Sequence, residues 1–251
     1  MLVDHPKVGE FDVSSVTHVL YGASAIPESV MGKARRVFPD ARFTQAYGMT
    51  EVSPVGTLLM PEDHDDPRLA RSVGRAAPHA LVKIVGPDDR EVPTGTPGQI
   101  CIAGDHVMLG YLNKPQETAD ALLGGWMHTG DGGYVDEAGY VFLTDRLKDM
   151  IITGGENVYS IEVENVIAKH PAVASCAVVG IPSEQWGESV HAVVVLAGGS
   201  ALTLDELREH CRADLAGYKC PTSLSIVDEM PMSGAGKILK RTLRQQFAAA
   251  P

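Results

Sequence analysis

The period of the hydrophobic positions changes along the chain, and each change predicts a different kind of element. Val19-Leu20-Tyr21 is a short apolar run that enters the small residues Gly22, Ala23 and Ser24. Pro27 suits the first turn of a helix, and Val30, Met31, Ala34, Val37 and Phe38 then recur at helical spacing until Pro39-Asp40. A second strand is predicted over Phe43 to Ala46. Strand-helix-strand units are parallel and right-handed, so Gly22 and Gly48 are expected side by side at the carboxyl ends of neighbouring strands, where open α/β sheets bind ligands.

From Ser72 to Leu143 the pattern becomes short β runs between turn clusters such as Gly86-Pro87-Asp88-Asp89 and Thr94-Gly95-Thr96-Pro97-Gly98. Tyr134-Val135 and Tyr140-Val141-Phe142-Leu143 read as a hairpin. Farther on, Ser160 is placed to cap a helix whose first turn carries Glu162 and Glu164 and whose buried stripe is Val163, Val166 and Ile167. Strands are expected over Val173 to Val179 and Val190 to Leu196. Thr203-Leu204-Asp205-Glu206 has the form of a capping box, with Leu207, Cys211 and Leu215 continuing the stripe. The fold class that follows is multi-domain α/β and α+β. A partial parallel α/β subdomain spans residues 1–68, a small antiparallel, barrel-like β subdomain 69–147, and a compact α+β domain 148–251.

The joint between the second and third lies in Thr144 to Asn157, where Asp145 to Asp149 read as a solvated charged connector. Met150-Ile151-Ile152 is a short buried strand, and Gly154-Gly155 ends it with backbone able to approach a ligand closely.

At 251 residues the chain is long enough for two or three such units. A net charge of -11 argues against a nucleic-acid partner, whose phosphates demand clustered Lys and Arg. No apolar run approaches the ~18 residues of a membrane span. The N-terminus lacks the basic and apolar regions of a signal peptide, which points to the cytoplasm. Cys101, Cys176, Cys211 and Cys220 form no Cys-x-x-Cys pair and read as reduced thiols.

Candidate chemistry sits in four places. Tyr47-Gly48-Met49-Thr50-Glu51 offers an aromatic face, a hydroxyl and a carboxylate, able to stack a base and hold a divalent cation through oxygen. Thr129-Gly130-Asp131 places a carboxylate after a glycine. Asp145-Arg146-Leu147-Lys148-Asp149 precedes Gly154-Gly155. Lys237 follows Ser233-Gly234-Ala235-Gly236 but fails the P-loop pattern, with Pro231 where the first glycine belongs and Ile238 where Ser or Thr belongs; it reads as a lysine on a flexible arm. His128 has no evident role, and Gly198-Gly199-Ser200 is a turn between strand and helix.

These four stretches, in this order and with these intervals, closely resemble the adenylate-forming superfamily of acyl-CoA synthetases, luciferases and peptide-synthetase adenylation domains. Asp149 to Tyr159 and Gly236 to Arg241 look most like fatty-acyl and aryl-CoA ligases. The resemblance implies ATP (bound as AMP during turnover), Mg²⁺ and coenzyme A as ligands, with a small carboxylic acid as substrate. It implies that Glu51 with Thr50 holds Mg²⁺, Tyr47 stacks on adenine beside Gly48 and Met49, and Gly22, Ala23 and Ser24 leave room for the base. Asp131 would take the ribose hydroxyls and Arg146 support the ribose and phosphates. Lys237 would bridge the substrate carboxylate and the α-phosphate. Lys148 would be the hinge of a domain rotation that presents Gly154-Gly155 to the pantetheine arm. Ser160 stands where relatives usually have proline. Nothing in the chain matches the family's Ser/Thr/Gly-rich phosphate loop ending in Pro-Lys, so the resemblance implies a carboxyl-terminal half that needs an N-terminal half in cis or in trans. An adenylating enzyme that loads a carrier protein, and a non-catalytic nucleotide- or coenzyme A-binding partner subunit, are the alternatives.

Overall fold

The computed structural model describes residues 2–22, 26, 28–234 and 236–248, without the side chains of Asp4, Glu28 and Ser29. It divides into two compact units, Met1–Leu143 and Thr144–Pro251.

In the first unit, β1 (His18–Gly22) and β2 (Arg42–Tyr47) pair in parallel around the crossover helix α1 (Glu28–Val37), with Leu20 opposite Thr44 and Gly22 opposite Ala46. Ala34 and Phe38 of the helical stripe bury against Phe43, which fixes the face that α1 presents to the strands. β3 (Thr57–Leu59) and β4 (Arg75–Ala76) extend this sheet in antiparallel fashion. A second, wholly antiparallel sheet is built from β5 (Leu81–Val85), β6 (Gly98–Ala103), the short helix α2 (Pro115–Ala121) with β7 (Leu122–Leu123), β8 (Trp126–Val135) and β9 (Val141–Arg146), in the order β5-β6-β8-β7 with β9 on β8. Its core is Ile84, Ile100, Ile102, Met127 and Val141, joined by Val52.

The second unit opens with the hairpin β10 (Ile151–Thr153) and β11 (Glu156–Val158), then α3 (Ser160–Ile167). β12 (Val173–Ser183) and β13 (Gly187–Leu196) form a long hairpin. α4 (Leu204–Arg212), β14 (Ser223–Ile226, parallel to β13) and α5 (Lys240–Phe247) complete it. Alternation along the central hairpin sends Val178, Ala192 and Val194 to the face covered by α3 and α4, and Ala177, Val179 and Val193 to the face covered by Leu243 of α5. Burial on both faces is why these strands read as nearly unbroken apolar runs. Thr203 accepts from the Glu206 N–H while the Glu206 carboxylate accepts from the Thr203 N–H, so the predicted capping box is present.

Several expectations are corrected here. Ser160 does not cap α3: Tyr159 holds the cap position and Ser160 is the first helical residue, fully buried. Only Glu162 lies in the first turn of α3; Glu164 falls beyond it as a largely buried partner of Lys240, with Nζ to Oε1 at 2.6 Å. Asp145 and Asp149 are not solvated connector residues, being only 4% and 9% exposed. Strand β12 runs on through Pro182 and meets β13 at Ser183 opposite Gly187, so the two predicted short strands are one hairpin. All four cysteines are free thiols. Among the described residues no helix is long and apolar enough to cross a membrane.

Candidate functional site

The site in the first unit starts where β2 ends. A Cβ on Gly48 would lie 2.1 Å from the Pro54 carbonyl oxygen, so only glycine lets the chain recross itself there. The Tyr47 carbonyl accepts the Gly56 N–H at 2.8 Å and closes the crossing. Met49 is extended and leads into a single 3₁₀ turn, Thr50–Val52. Val52 is fully buried with Ile100, Ile102 and Met127, so the next-door Glu51 is pinned to the core while its carboxylate stays at the rim. Gly22 has a packing reason of its own, since a Cβ there would meet the Ala46 carbonyl oxygen at 2.1 Å. Ala23 and Ser24 lie outside the described residues.

Glu51 has a partner that sequence reading missed. The Tyr111 hydroxyl donates to Glu51 Oε1 at 2.7 Å, and the Met108 N–H donates to the Glu51 carbonyl at 2.8 Å. Tyr111 is itself anchored, its N–H donating to Thr118 Oγ1 at 2.9 Å. Its hydrogen bond to the carboxylate, aided by burial, pushes the phenol up to about 12. The separation of 60 residues explains the omission, because no local pattern joins Glu51 to Tyr111.

Asp131 follows Gly130, whose φ of +72° accompanies a register shift between β6 and β8. The Asp131 N–H donates to Thr129 Oγ1 at 3.1 Å, while Thr129 Oγ1 donates to the Ile100 carbonyl at 2.7 Å. The Tyr47 hydroxyl donates to Asp131 Oδ2 at 2.9 Å, which brings together two candidates 84 residues apart. The two clefts of about 410 and 310 Å³ in this unit are lined by none of Tyr47, Glu51 and Asp131.

Among the described residues no three His, Cys, Asp or Glu gather into a metal-binding group. Mg²⁺ commonly takes only one or two carboxylates, completing its shell with water and substrate phosphates. Glu51 beside the exposed Thr50 hydroxyl fits that partial donor set.

In the second unit Arg146 and Lys148 are exposed on a turn closed by the Asp149 and Met150 N–H groups, both donating to the Arg146 carbonyl at 2.8 and 3.0 Å. Gly154 and Gly155 form a two-residue turn between paired Thr153 and Glu156, with φ of +59° and +84°. Two positive φ values define the mirror-image hairpin turn that glycine favours. The half-exposed Trp186 lies across it, close enough that a Cβ on Gly154 would meet the indole at 3.0 Å. The two ends of the Lys237 arm are hydrogen-bonded to each other. Met232 bridges Ile238, the Ser233 N–H donates to the Lys237 carbonyl at 2.8 Å, and the Lys237 N–H donates to Ser233 Oγ at 3.1 Å. The Lys237 side chain is exposed where this turn closes.

Comparison with known proteins gives these residues a family. The AMP-binding enzyme family matches residues 1–112, and the AMP-binding enzyme C-terminal domain matches residues 162–237. The chain belongs to the AMP-binding, adenylate-forming enzymes. The chain is 41% identical over 248 residues to the fatty acid–[acyl-carrier-protein] ligase ScoC of Streptomyces coeruleorubidus, covering 98% of the chain and 48% of that protein. It is 42% identical over 246 residues to the feruloyl-CoA synthase of an Amycolatopsis species, covering 97% and 49%. Among solved structures, the amide bond synthetase McbA from Marinactinospora thermotolerans matches with a TM-score of 0.87 at 37% identity, covering 98% of this chain and 50% of that one. The o-succinylbenzoate CoA synthetase MenE of Bacillus subtilis, in complex with the acyl-adenylate intermediate OSB-AMP, matches with a TM-score of 0.85 at 32% identity, covering 97% and 49%. The chain thus spans about half the length of the relatives it matches.

Proposed function

We propose that this chain serves an ATP-dependent acid-thiol ligase, an acyl-CoA synthetase acting on a fatty or aryl carboxylic acid, as its carboxyl-terminal half. The observation that carries the reading is the pair of hydrogen bonds Tyr47 to Asp131 and Tyr111 to Glu51, which holds a carboxylate beside an aromatic face and a second carboxylate at the rim of one unit. Ligase relatives about 40% identical over nearly the whole chain support that reading.

In the first half-reaction a carboxylate oxygen attacks the α-phosphorus of ATP and pyrophosphate leaves. Both reactants are anions, so catalysis is charge neutralisation and positioning. Lys237 would meet the substrate carboxylate and the α-phosphate oxygens, and Glu51 with Thr50 would hold Mg²⁺, which offsets phosphate charge when bound. Asp131 would accept from the ribose hydroxyls, as an ionised carboxylate does. Tyr47, next to Gly48 and Met49, would pack on the adenine, and Gly22 with Ala23 and Ser24 would border it. Arg146, permanently charged, would support the ribose and phosphates. In the second half-reaction a thiol attacks the acyl carbon and AMP leaves. Rotation about Lys148 would withdraw Lys237 and present Gly154, Gly155 and Trp186 to the pantetheine arm. The phosphate loop would come from an N-terminal half, joined in cis or supplied in trans. Free cysteines throughout suit a reducing compartment, the cytoplasm.

The relative named for an acyl-carrier protein favours a second reading, in which the accepting thiol belongs to a carrier. Carboxylate-dependent ATP–pyrophosphate exchange tests the adenylation. Exchange by the chain alone, or on adding an N-terminal half, supports it; silence in both leaves the non-catalytic binding subunit as the better account. Release of the acyl group to coenzyme A against carrier then separates the two thiols. In an active enzyme Lys148→Pro is expected to spare exchange and depress thioester formation.

A further inference from the structure

The second unit carries a buried charge network that the proposed chemistry does not use. Helix α5 begins at Lys240, three residues after Lys237. At eight residues it is too short to be stable by itself, and Leu243 is its one fully buried residue. Two of its cations, one helical turn apart, reach back to the segment around Lys148. The Arg244 guanidinium pairs with Asp149, the immediate neighbour of Lys148, and both side chains are largely withdrawn from water. Lys240 Nζ donates to Ser160 Oγ at 2.5 Å and pairs with Glu164 Oε1 at 2.6 Å. The Ser160 N–H in turn donates to Asp145 Oδ2, and Glu164 Oε1 accepts the Val178 N–H at 2.7 Å. The acids on either side of Lys148 are thus each tied to α5, Asp149 directly and Asp145 through Ser160. Lys148 itself is exposed between them.

We propose that Lys240 and Arg244 are positioning residues that lock the Lys237 turn to the Asp145–Asp149 segment, so that movement at Lys148 carries Lys237 as part of one rigid body. The proposal rests on the reading of Lys148 as hinge and Lys237 as the lysine that meets substrate. Its physical content stands on the contacts alone. The peptide path from Lys148 to Lys237 runs through the whole unit, whereas the two tethers join the regions through single side chains. A hinge rotation delivers a lysine accurately only if the lysine's mount does not yield, and misplacement by about 1 Å can cost ~10²-fold in rate.

The test uses the full chain with Arg244→Gln, Lys240→Met, the conservative Arg244→Lys, and the paired Asp149→Asn/Arg244→Gln. The paired variant removes both charges at once, leaves no buried acid without its counter-charge, and is expected to keep the fold. The first measurement needs no activity: the rate of tryptic cleavage after Lys237, with hydrogen exchange of the Ser233 to Ile238 amides. Arg244→Gln and the paired variant are each expected to accelerate cleavage there by about tenfold while cleavage after Lys169 and at Arg208 and Arg212 of α4 keeps its rate; Lys240→Met, which also lowers global stability, should raise cleavage after Lys237 by more than at those control sites, and Arg244→Lys should recover much of the loss. Unchanged cleavage and exchange in the folded paired variant would overturn the tether, whatever the protein catalyses. Acceleration spread evenly over the unit would also overturn it, by showing general destabilisation. The second measurement, in the enzyme complemented for exchange, expects kcat of adenylation to fall with KM for ATP held within about twofold. Local loosening in a chain that shows no exchange under any condition would sink the ligase reading and leave the tether standing.

Discussion

Glu51, in a 3₁₀ turn of the first unit, and Glu164, in the middle of α3 of the second, are glutamates held by different chemistry. Glu51 takes its hydrogen bond from a neutral phenol, Tyr111, and stays at the rim. Glu164 takes its bond from the Lys240 ammonium, with only 19% of its side chain left exposed. A phenol orients a carboxylate without cancelling its charge, leaving it free to meet a cation or a hydroxyl brought by a ligand. An ammonium neutralises the carboxylate and commits it to the fold. Asp149, paired with Arg244, follows Glu164, while Asp131 takes a hydrogen bond from the Tyr47 phenol. The identity of the donor thus separates a carboxylate neutralised inside the fold, Glu164, from one that keeps its charge beside a phenol, Glu51.

The sharpest way to break this comparison is to remove the cation. Lys240→Met is expected to cost about 3–5 kcal/mol of stability in a denaturant titration, because Glu164 is left buried without its counter-charge. Burial already pushes the Glu164 carboxyl above its usual range with Lys240 in place. A folded-state value raised above the unfolded one contributes stability that is present at acid pH and lost as pH rises. The Lys240→Met deficit should therefore shrink toward acid pH. A loss independent of pH would show that packing, not charge, is what Lys240 supplies.

Glu51→Gln should behave in the opposite sense. Stability is expected to change by less than about 1 kcal/mol, while the adenylation rate of the complemented enzyme falls by about 10²–10³-fold. A stability loss as large as that of Lys240→Met would erase the distinction between the two glutamates.

Tyr111→Phe comes next. Loss of one hydrogen bond to a charged group is expected to cost about 1.5–3 kcal/mol, expressed as a rate defect with stability little changed. A defect in folding equal to the defect in rate would make Tyr111 a core residue and not an orienter of Glu51.

The smallest effect is spectroscopic. Tyr111 should ionise near 12 in the native protein, against 10.0 for a free phenol, and Glu51→Gln should return it toward the lower value in an ultraviolet titration. Since the folded-state value is the higher, the stabilisation is complete below pH 10 and disappears as pH rises toward 12. A tyrosinate titration identical in the two proteins would remove the hydrogen bond from the account.

Much of the architecture was written in local patterns. The strand-helix-strand of α1, the capping box at Thr203 and the turn-punctuated β runs after Ser72 were legible, because period and turn chemistry are short-range properties. Helix α5 escaped notice because Lys240, Arg241 and Arg244 read as a polar tail, and only Leu243 marks its buried side. The continuation of β12 through Pro182 was hidden because proline ordinarily interrupts a strand. Asp145 and Asp149 looked like solvated linker charges, since nothing within their own neighbourhood in sequence reveals Ser160 or Arg244 as partners.

By itself the sequence determined the family, through four motifs in fixed order, and with it the residue types at each candidate position. What only the tertiary structure decided is which charges are spent inside the fold and which remain available, because ionisation and hydrogen bonding depend on distances closed over tens of residues. Tyr111 reaching Glu51 across 60 residues and Arg244 reaching Asp149 across 95 are the two contacts that make the difference.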